Sequence, residues 1–428
     1  MVGIPKLATL RRIRMEGKAM DDLDGDLVKD LVLRKAQFDQ MEHLKGALRK
    51  KKIVQNEDED ESSHSEYKLV GYIQKISVFP FVVALFTAKQ FGILRTLLKM
   101  NKDTALHMDA TSSLTTTLHQ PYTGSRQLYY AIVVTLPDVK DISCIPIAEF
   151  VSNRHTVDEI ASFLHFYFKK YAEYTGTQKI HFGIRRAETD ASLALISGIL
   201  SALEIGPLNV YLRDCWENLT TSRAMIFVHY ICRRHAIQFL KAKVIEHYGR
   251  TSEGSKFFIK WLHAFVICSD LWSMSAKMVS ALIVCGTRAN VALVQSTINS
   301  VSNPTSRTGL EPWKILKLEN VPKTPPFYLM SPFGYFAVLL GHTNNVDIPK
   351  YVLDKIPEID SDNSSLNEEE TSPTNPHYNQ KFLMYLLRDV FPLAPMMTHM
   401  LLYLNNLPIV QDTNAYSESW FNKMKSRF

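Results

Sequence analysis

The chain predicts an α/β protein: a mixed sheet, a large α-helical insertion and a basic helical N-terminal arm. Three observations carry that expectation. Ala105–Met108 and Leu128–Val134 are short apolar runs of strand length, the second apolar on both faces as a central strand requires. Thr156-Val157-Asp158-Glu159 has the form of a capping box, after which Val157, Ile160, Ala161, Leu164 and Phe168 recur at helical spacing. Residues 206–356 carry aromatic and Leu-rich segments of helix length, such as Phe257–Leu271 and Lys277–Val284.

In chain order, residues 1–54 form the arm, and its first 52 residues hold thirteen Lys or Arg against eight Asp or Glu. A solvated helical arm explains that balance, and so does a surface that neutralises phosphates whatever the base sequence. Residues 55–66 include Asn56-Glu57-Asp58-Glu59-Asp60-Glu61 without an apolar anchor, which is linker composition. From Tyr67, Ile76–Phe86 reads as a strand or buried segment broken by Pro80, and Phe91–Leu98 as a short helix. Ala105–Met108 is the first core strand and Leu128–Val134 the second. Ile142–Val151 is a third, where Pro146 suits an edge or a bulge. The helix after Thr156 and a fourth strand at Lys179–Ile184 follow. Three strands, a helix, a strand and a helix is the order expected of a ribonuclease-H-like core, assigned here to residues 67–205 and 382–428. Residues 357–378, with Glu368-Glu369-Glu370 among Ser, Pro and Asn, are expected to be a disordered acidic loop. Phe382–Leu404 and Asn414–Lys425 are expected to be helical.

Composition sets outer limits. The 428 residues are 46% hydrophobic, enough for two or three domains and a sizeable core. A formal charge of +6 is compatible with a nucleic-acid partner without requiring one. The five cysteines are scattered without a CxxC pair, which argues against a disulfide scaffold or a cysteine-rich zinc module and favours a reducing compartment. Met1–Arg14 lacks the apolar stretch of a signal peptide, and no apolar run reaches about 18 residues, so no membrane partner is expected.

Three carboxylates stand at the ends of regular elements. Asp109 closes the first core strand, Asp190 opens the apolar helix that begins Ala191-Ser192-Leu193, and Glu418 opens the last helix. Singly, each has an ordinary explanation, since acidic residues are favoured at helix N-termini. Together they are what two-metal phosphoryl transfer requires: hard oxygen ligands suit Mg²⁺ or Mn²⁺, held about 3.5–4 Å apart. Bare carboxylates roughly 4 Å apart would repel by about 4 kcal/mol at an effective dielectric of about 20, so such a cluster needs cations or a proton.

The wording around these residues resembles a known family. Met108-Asp109-Ala110-Thr111, Leu128-Tyr129-Tyr130-Ala131, Pro146-Ile147-Ala148-Glu149-Phe150-Val151, Thr189-Asp190-Ala191-Ser192, Ile231-Cys232-Arg233-Arg234-His235 and Ser417-Glu418-Ser419-Trp420 resemble, in order, the catalytic domain of Mutator-like (MULE-type) DDE transposases. The resemblance implies a transposase-derived enzyme that nicks double-stranded DNA and transfers strands using two Mg²⁺ or Mn²⁺ ions, with Asp109, Asp190 and Glu418 as catalytic metal ligands. It implies transposon ends as the DNA partner if the enzyme is active, and a nuclear location; homo-oligomeric assembly is left open. Arg185, Arg186, Arg233, Arg234, Lys423 and Lys425 are the candidate DNA contacts. Cys232 and His235 match a CxxH element; a zinc site on them needs two further ligands, and a structural role beside the site is the simpler expectation. Two departures stand out: polar residues 185–189 separate the expected fourth strand from Asp190, and the chain has no separate DNA-recognition module. A truncated or domesticated element fits them, and a non-catalytic DNA-binding protein on the same fold is the alternative function.

Overall fold

A computed structural model describes residues 29–41, 71–100, 104–112, 127–134, 144–177, 183–288, 292–302, 375–408 and 415–426, with Leu69 and Leu114. The acidic linker at 55–66, most of the arm and nearly all of the acidic loop lie outside these residues. Within the arm, residues 29–41 are helical (α1).

One seven-stranded sheet organises the molecule. Its strands are β1 (Ile73–Ser77), β2 (Val82–Leu85), β3 (Ala105–Thr111), β4 (Leu128–Val134), β5 (Ile145–Ser152), β6 (Arg186–Thr189) and β7 (Val228–Ile231). They lie in the order β1-β2-β5-β4-β3-β6-β7. The pairs from β1 to β3 are antiparallel, whereas β3, β6 and β7 run parallel. The parallel connections are made by helices: α3 (Val157–Thr175) follows β5, and α4 (Leu193–Ala202) and α5 (Leu208–Thr221) link β6 to β7.

The sheet's two faces differ chemically. On the β4 face carrying Tyr130, Ile132 and Val134, the main core packs against α2 (Ala88–Met100) and α3. Phe150 lies stacked between Tyr130 at 4.0 Å and Phe163 at 4.1 Å. At the α3–α4 contact, Gly198 leaves room for Ile160, whose Cγ2 lies 2.6 Å from where a Cβ would stand. The opposite face holds a smaller apolar group, Tyr129, Ala131, Val133 and Cys144, closed by Phe421 of the last helix, α13 (Ala415–Lys425). Leu31 of α1 helps cover the hairpin end, against Ile73, Phe81 and Val83.

Beyond β7 come α6 (Arg233–Tyr248), α7 (Glu253–Val266), α8 (Leu271–Gly286) and α9 (Ala292–Ser302). The chain is next described at Asn375, whose side-chain amide donates to Val284 O at 2.8 Å and Thr287 O at 2.7 Å. Short segments follow: α10 (Gln380–Tyr385), a π turn and a 3₁₀ turn through Leu393, α11 (Ala394–Met397), α12 (Met400–Leu404), and finally α13 (Ala415–Lys425). Among the described residues no helix is long and apolar enough to cross a membrane.

Three expectations are corrected. A strand is found at Arg186–Thr189 and runs directly into Asp190, while of the expected strand Lys179–Ile184 residues 179–182 lie outside the described residues and Ile184 is not in a strand. The polar residues taken for a spacer are the strand itself, which hydropathy cannot show because its charges are neutralised inside the fold. The stretch assigned to the helical insertion contributes an edge strand, β7, and its helices share one apolar core with the sheet and with residues 382–407. Pro146 sits at a bulge, one of the two settings expected for it: the register shifts opposite it, between Ile132 and Val133. The helical region 382–404 is broken into pieces where Pro392 and Pro395 remove backbone donors.

Candidate active site

Three parallel strands end side by side, and the crevice outside the carboxyl ends of parallel strands is where α/β sheets place their chemistry. Asp109 stands near the end of β3, Asp190 just past the end of β6, and Cys232-Arg233-Arg234-His235 begins α6 just past the end of β7. Register then fixes which side chains share a face. His107 pairs with Glu188 across β3 and β6, so two residues further along each strand Asp109 and Asp190 stand on the same face. Neighbouring strands lie about 4.8 Å apart, which makes the two carboxylates neighbours.

Asp109 is 8% exposed, and its Oδ1 accepts the Ala110 N–H at 2.7 Å. Burial, then the charges of Asp190 and Glu418, raise its carboxyl from the ordinary 3.8 to about 7, although the Ala110 bond opposes the shift. The Asp109 carboxyl thus senses the charges of both Asp190 and Glu418. A local turn fixes Asp190: its Oδ1 accepts the Ser192 N–H at 2.9 Å, and Ser192 caps α4 while its hydroxyl lies 2.9 Å from His155 Nε2.

Glu418 arrives from across the chain on α13, which packs over β3 and β4. The helix is anchored by Phe421, set edge-on to Tyr129 at 5.9 Å, and by Trp420, whose Nε1 donates to Tyr129 Oη at 3.3 Å. The Glu418 side chain, 28% exposed, turns toward α6: Arg234 Nη1 donates to Oε2 at 2.6 Å and His235 Nε2 lies 3.4 Å from Oε1. Among the described residues no three His, Cys, Asp or Glu side chains are set to hold one ion as placed. The donor chemistry suits a hard divalent cation, and repulsion around Asp109 calls for one. The third carboxylate is engaged by Arg234 and His235 instead.

Beneath the aspartates lies a charged floor on the same face. Arg186, 4% exposed, donates to the fully buried Glu188, and His107 Nδ1 lies 3.1 Å from Glu188 Oε2. Burial pushes Glu188 up, but His107 and Arg186 outweigh it and hold its carboxyl below the ordinary range. Arg186 also donates to Pro408 O at 2.6 Å and lies over the Tyr230 ring at 5.8 Å.

The predicted DNA contacts divide accordingly. Arg186 is corrected to an internal structural residue, because its guanidinium is consumed within the fold and cannot reach a phosphate. Arg185 is half-buried and donates to Asn405 O at 3.3 Å. Lys423 and Lys425 are exposed on α13, Arg233 is half-buried, and Arg234 is exposed but paired with Glu418. Of the CxxH pair, Cys232 is buried and its N–H continues the ladder to Thr189 O at 2.8 Å, while His235 Nε2 lies 3.4 Å from Glu418 Oε1.

One residue of this face was not singled out from the sequence. Glu149 on β5 pairs with Ala131, which pairs with Asp109, so the three stand in one row. It is 4% exposed, and the Tyr72 and Tyr129 hydroxyls donate to its two oxygens. Burial raises its carboxyl from 4.5 to about 7. An acid within the otherwise apolar Ile145–Val151 was the available signal.

No family model, no curated protein and no solved structure matches this chain.

Proposed function

We propose that the protein is a ribonuclease-H-like, transposase-derived enzyme that nicks DNA and transfers its strands with the help of divalent metal ions. The observation that carries this reading is the parallel β3–β6 register, which puts Asp109 and Asp190 side by side where two parallel strands end. The strand order supports it, with three antiparallel strands, a helix and then parallel strands. Asp109, Asp190 and Glu418 would hold Mg²⁺ or Mn²⁺. When bound, such ions activate the attacking oxygen and stabilise the leaving oxygen of an in-line displacement at phosphorus.

The chain's own part is positioning. Asp109 and Asp190 supply carboxyl groups at the ends of a paired β3 and β6, with the Arg186–Glu188–His107 contacts beneath linking the two strands. Arg234, with Lys423 and Lys425 nearby in sequence to Glu418, supplies positive charge for double-stranded DNA, and the nucleus is the compartment this substrate implies. The second reading, a domesticated DNA-binding protein without catalysis, is favoured by the engagement of Glu418 with Arg234 and His235.

Nicking of supercoiled plasmid in Mg²⁺ or Mn²⁺, with Asp109→Asn alongside, decides between them. Metal-dependent nicking that falls at least about a hundred-fold in the variant is the expected result. DNA binding without nicking in either protein selects the second reading, and equal nicking by both removes Asp109 from the chemistry.

A further inference from the structure

Arg234 and His235 occupy the first turn of α6, a helix of 16 residues with no acidic residue in that turn. The Arg234 guanidinium at the positive end of a helix is locally unfavourable, so this turn needs an anion. Glu418 supplies it from another element, at 2.6 Å from Arg234 and 3.4 Å from His235. Both partners remain accessible: the side chains of Arg234 and Glu418 are 54% and 28% exposed. An ion pair of that exposure is worth little in water and can be displaced by a competing anion. A bridging phosphodiester offers Arg a bidentate acceptor of the same geometry as a carboxylate.

We infer that the Arg234–Glu418 pair is an exchange latch: in the DNA-free protein Arg234 holds Glu418 away from the aspartates, and a DNA phosphate that takes over Arg234 and the start of α6 releases Glu418 toward Asp109 and Asp190. The inference rests on the proposed site and adds an order to it, DNA phosphate before a complete three-carboxylate cation site. It accounts for two facts together. Glu418 is close enough to Asp109 to act on its charge, yet the described residues include no assembled three-donor group.

A double-mutant cycle on DNA affinity, run in chelator so that no cation takes part, tests the latch. Binding of a labelled short duplex is followed by fluorescence anisotropy at roughly 0.15 M salt. Glu418→Gln is expected to tighten binding about two- to five-fold when Arg234 is present, because it frees the guanidinium. In the Arg234→Gln background the same substitution is expected to change affinity by less than about 1.5-fold. Equal tightening in both backgrounds overturns the latch, since it reflects only the loss of one negative charge.

A second readout is Mn²⁺ affinity of the DNA-free protein, measured from the free-ion electron paramagnetic resonance signal. Arg234→Gln should bind Mn²⁺ about two- to five-fold more tightly. Lys423→Gln, which removes the same charge from an exposed position of α13, should gain less. Equal gains in the two variants overturn the latch while leaving the site standing. If Asp109→Asn leaves Mn²⁺ affinity unchanged, or the wild type binds no duplex, the proposed function itself fails and the latch with it.

Discussion

Asp109 shows how one side chain can be costly in the empty protein and useful when loaded. Burial and two neighbouring carboxylates raise it to about 7, so below neutrality the empty site carries a proton there. A cation needs the carboxylate, and binding must therefore expel that proton. We expect Mn²⁺ affinity to climb as pH rises toward about 7 and to level off above it. Calorimetry near pH 6, repeated in buffers of different ionisation enthalpy, should register close to one proton released per site filled in the wild type and none in Asp109→Asn. A heat that does not depend on buffer would place this carboxyl outside the cation site. The three carboxylates could be singled out in the sequence because each stands where a regular element is expected to begin or end. Glu149 was harder to read: its hydrogen-bond partners, Tyr72 just before β1 and Tyr129 on β4, are brought together only by the fold.

Strand β6 marks the limit of reading elements from hydropathy. Arg186-Ala187-Glu188-Thr189 has neither an apolar run nor an apolar–polar alternation, yet all four residues are buried. The cause is compensation: Arg186 and His107 flank Glu188 on the sheet face, and Thr189 Oγ1 meets His229 Nε2 at 2.9 Å on the other. The long antiparallel strands and α3 were legible because their patterns are local, whereas β6 and β7 depend on partners far along the chain. A buried ion pair broken on one side leaves an uncompensated charge, at about 3–5 kcal/mol. Arg186→Ala should lower the urea-unfolding free energy by about that amount. Replacing both members, as Arg186→Met with Glu188→Leu, should cost less than the single change. If Arg186 instead served DNA, the single change would weaken duplex binding and leave the unfolding midpoint in place.

Across the whole molecule, α13 packs over β3 and β4, residues 394–397 pack against β7, and Pro408 O accepts from Arg186 of β6. Everything that holds α13 down therefore also positions Glu418. That hold runs through a chain of polar contacts from Trp420 to Tyr129 to Glu149 to Tyr72, spanning the sheet from the C-terminal helix to the segment leading into β1. Glu149 is its centre, and its carboxyl is raised from 4.5 to about 7 by burial. Between those values the folded protein keeps a proton that the unfolded chain has released, so stability must decline as pH rises through this window and flatten above about 7. Asp109 is raised in the same direction and adds to the decline. Urea unfolding at about pH 5 and about pH 8, in chelator, should show the wild type losing a few kcal/mol between them. Glu149→Gln and Asp109→Asn should each remove part of that loss, and the double variant most of it. If Glu149→Gln keeps the full wild-type decline, the Glu149 proton is bound equally by the folded and unfolded chains. The polar chain would then act on α13 through packing alone, and Glu418 would keep its position at every pH.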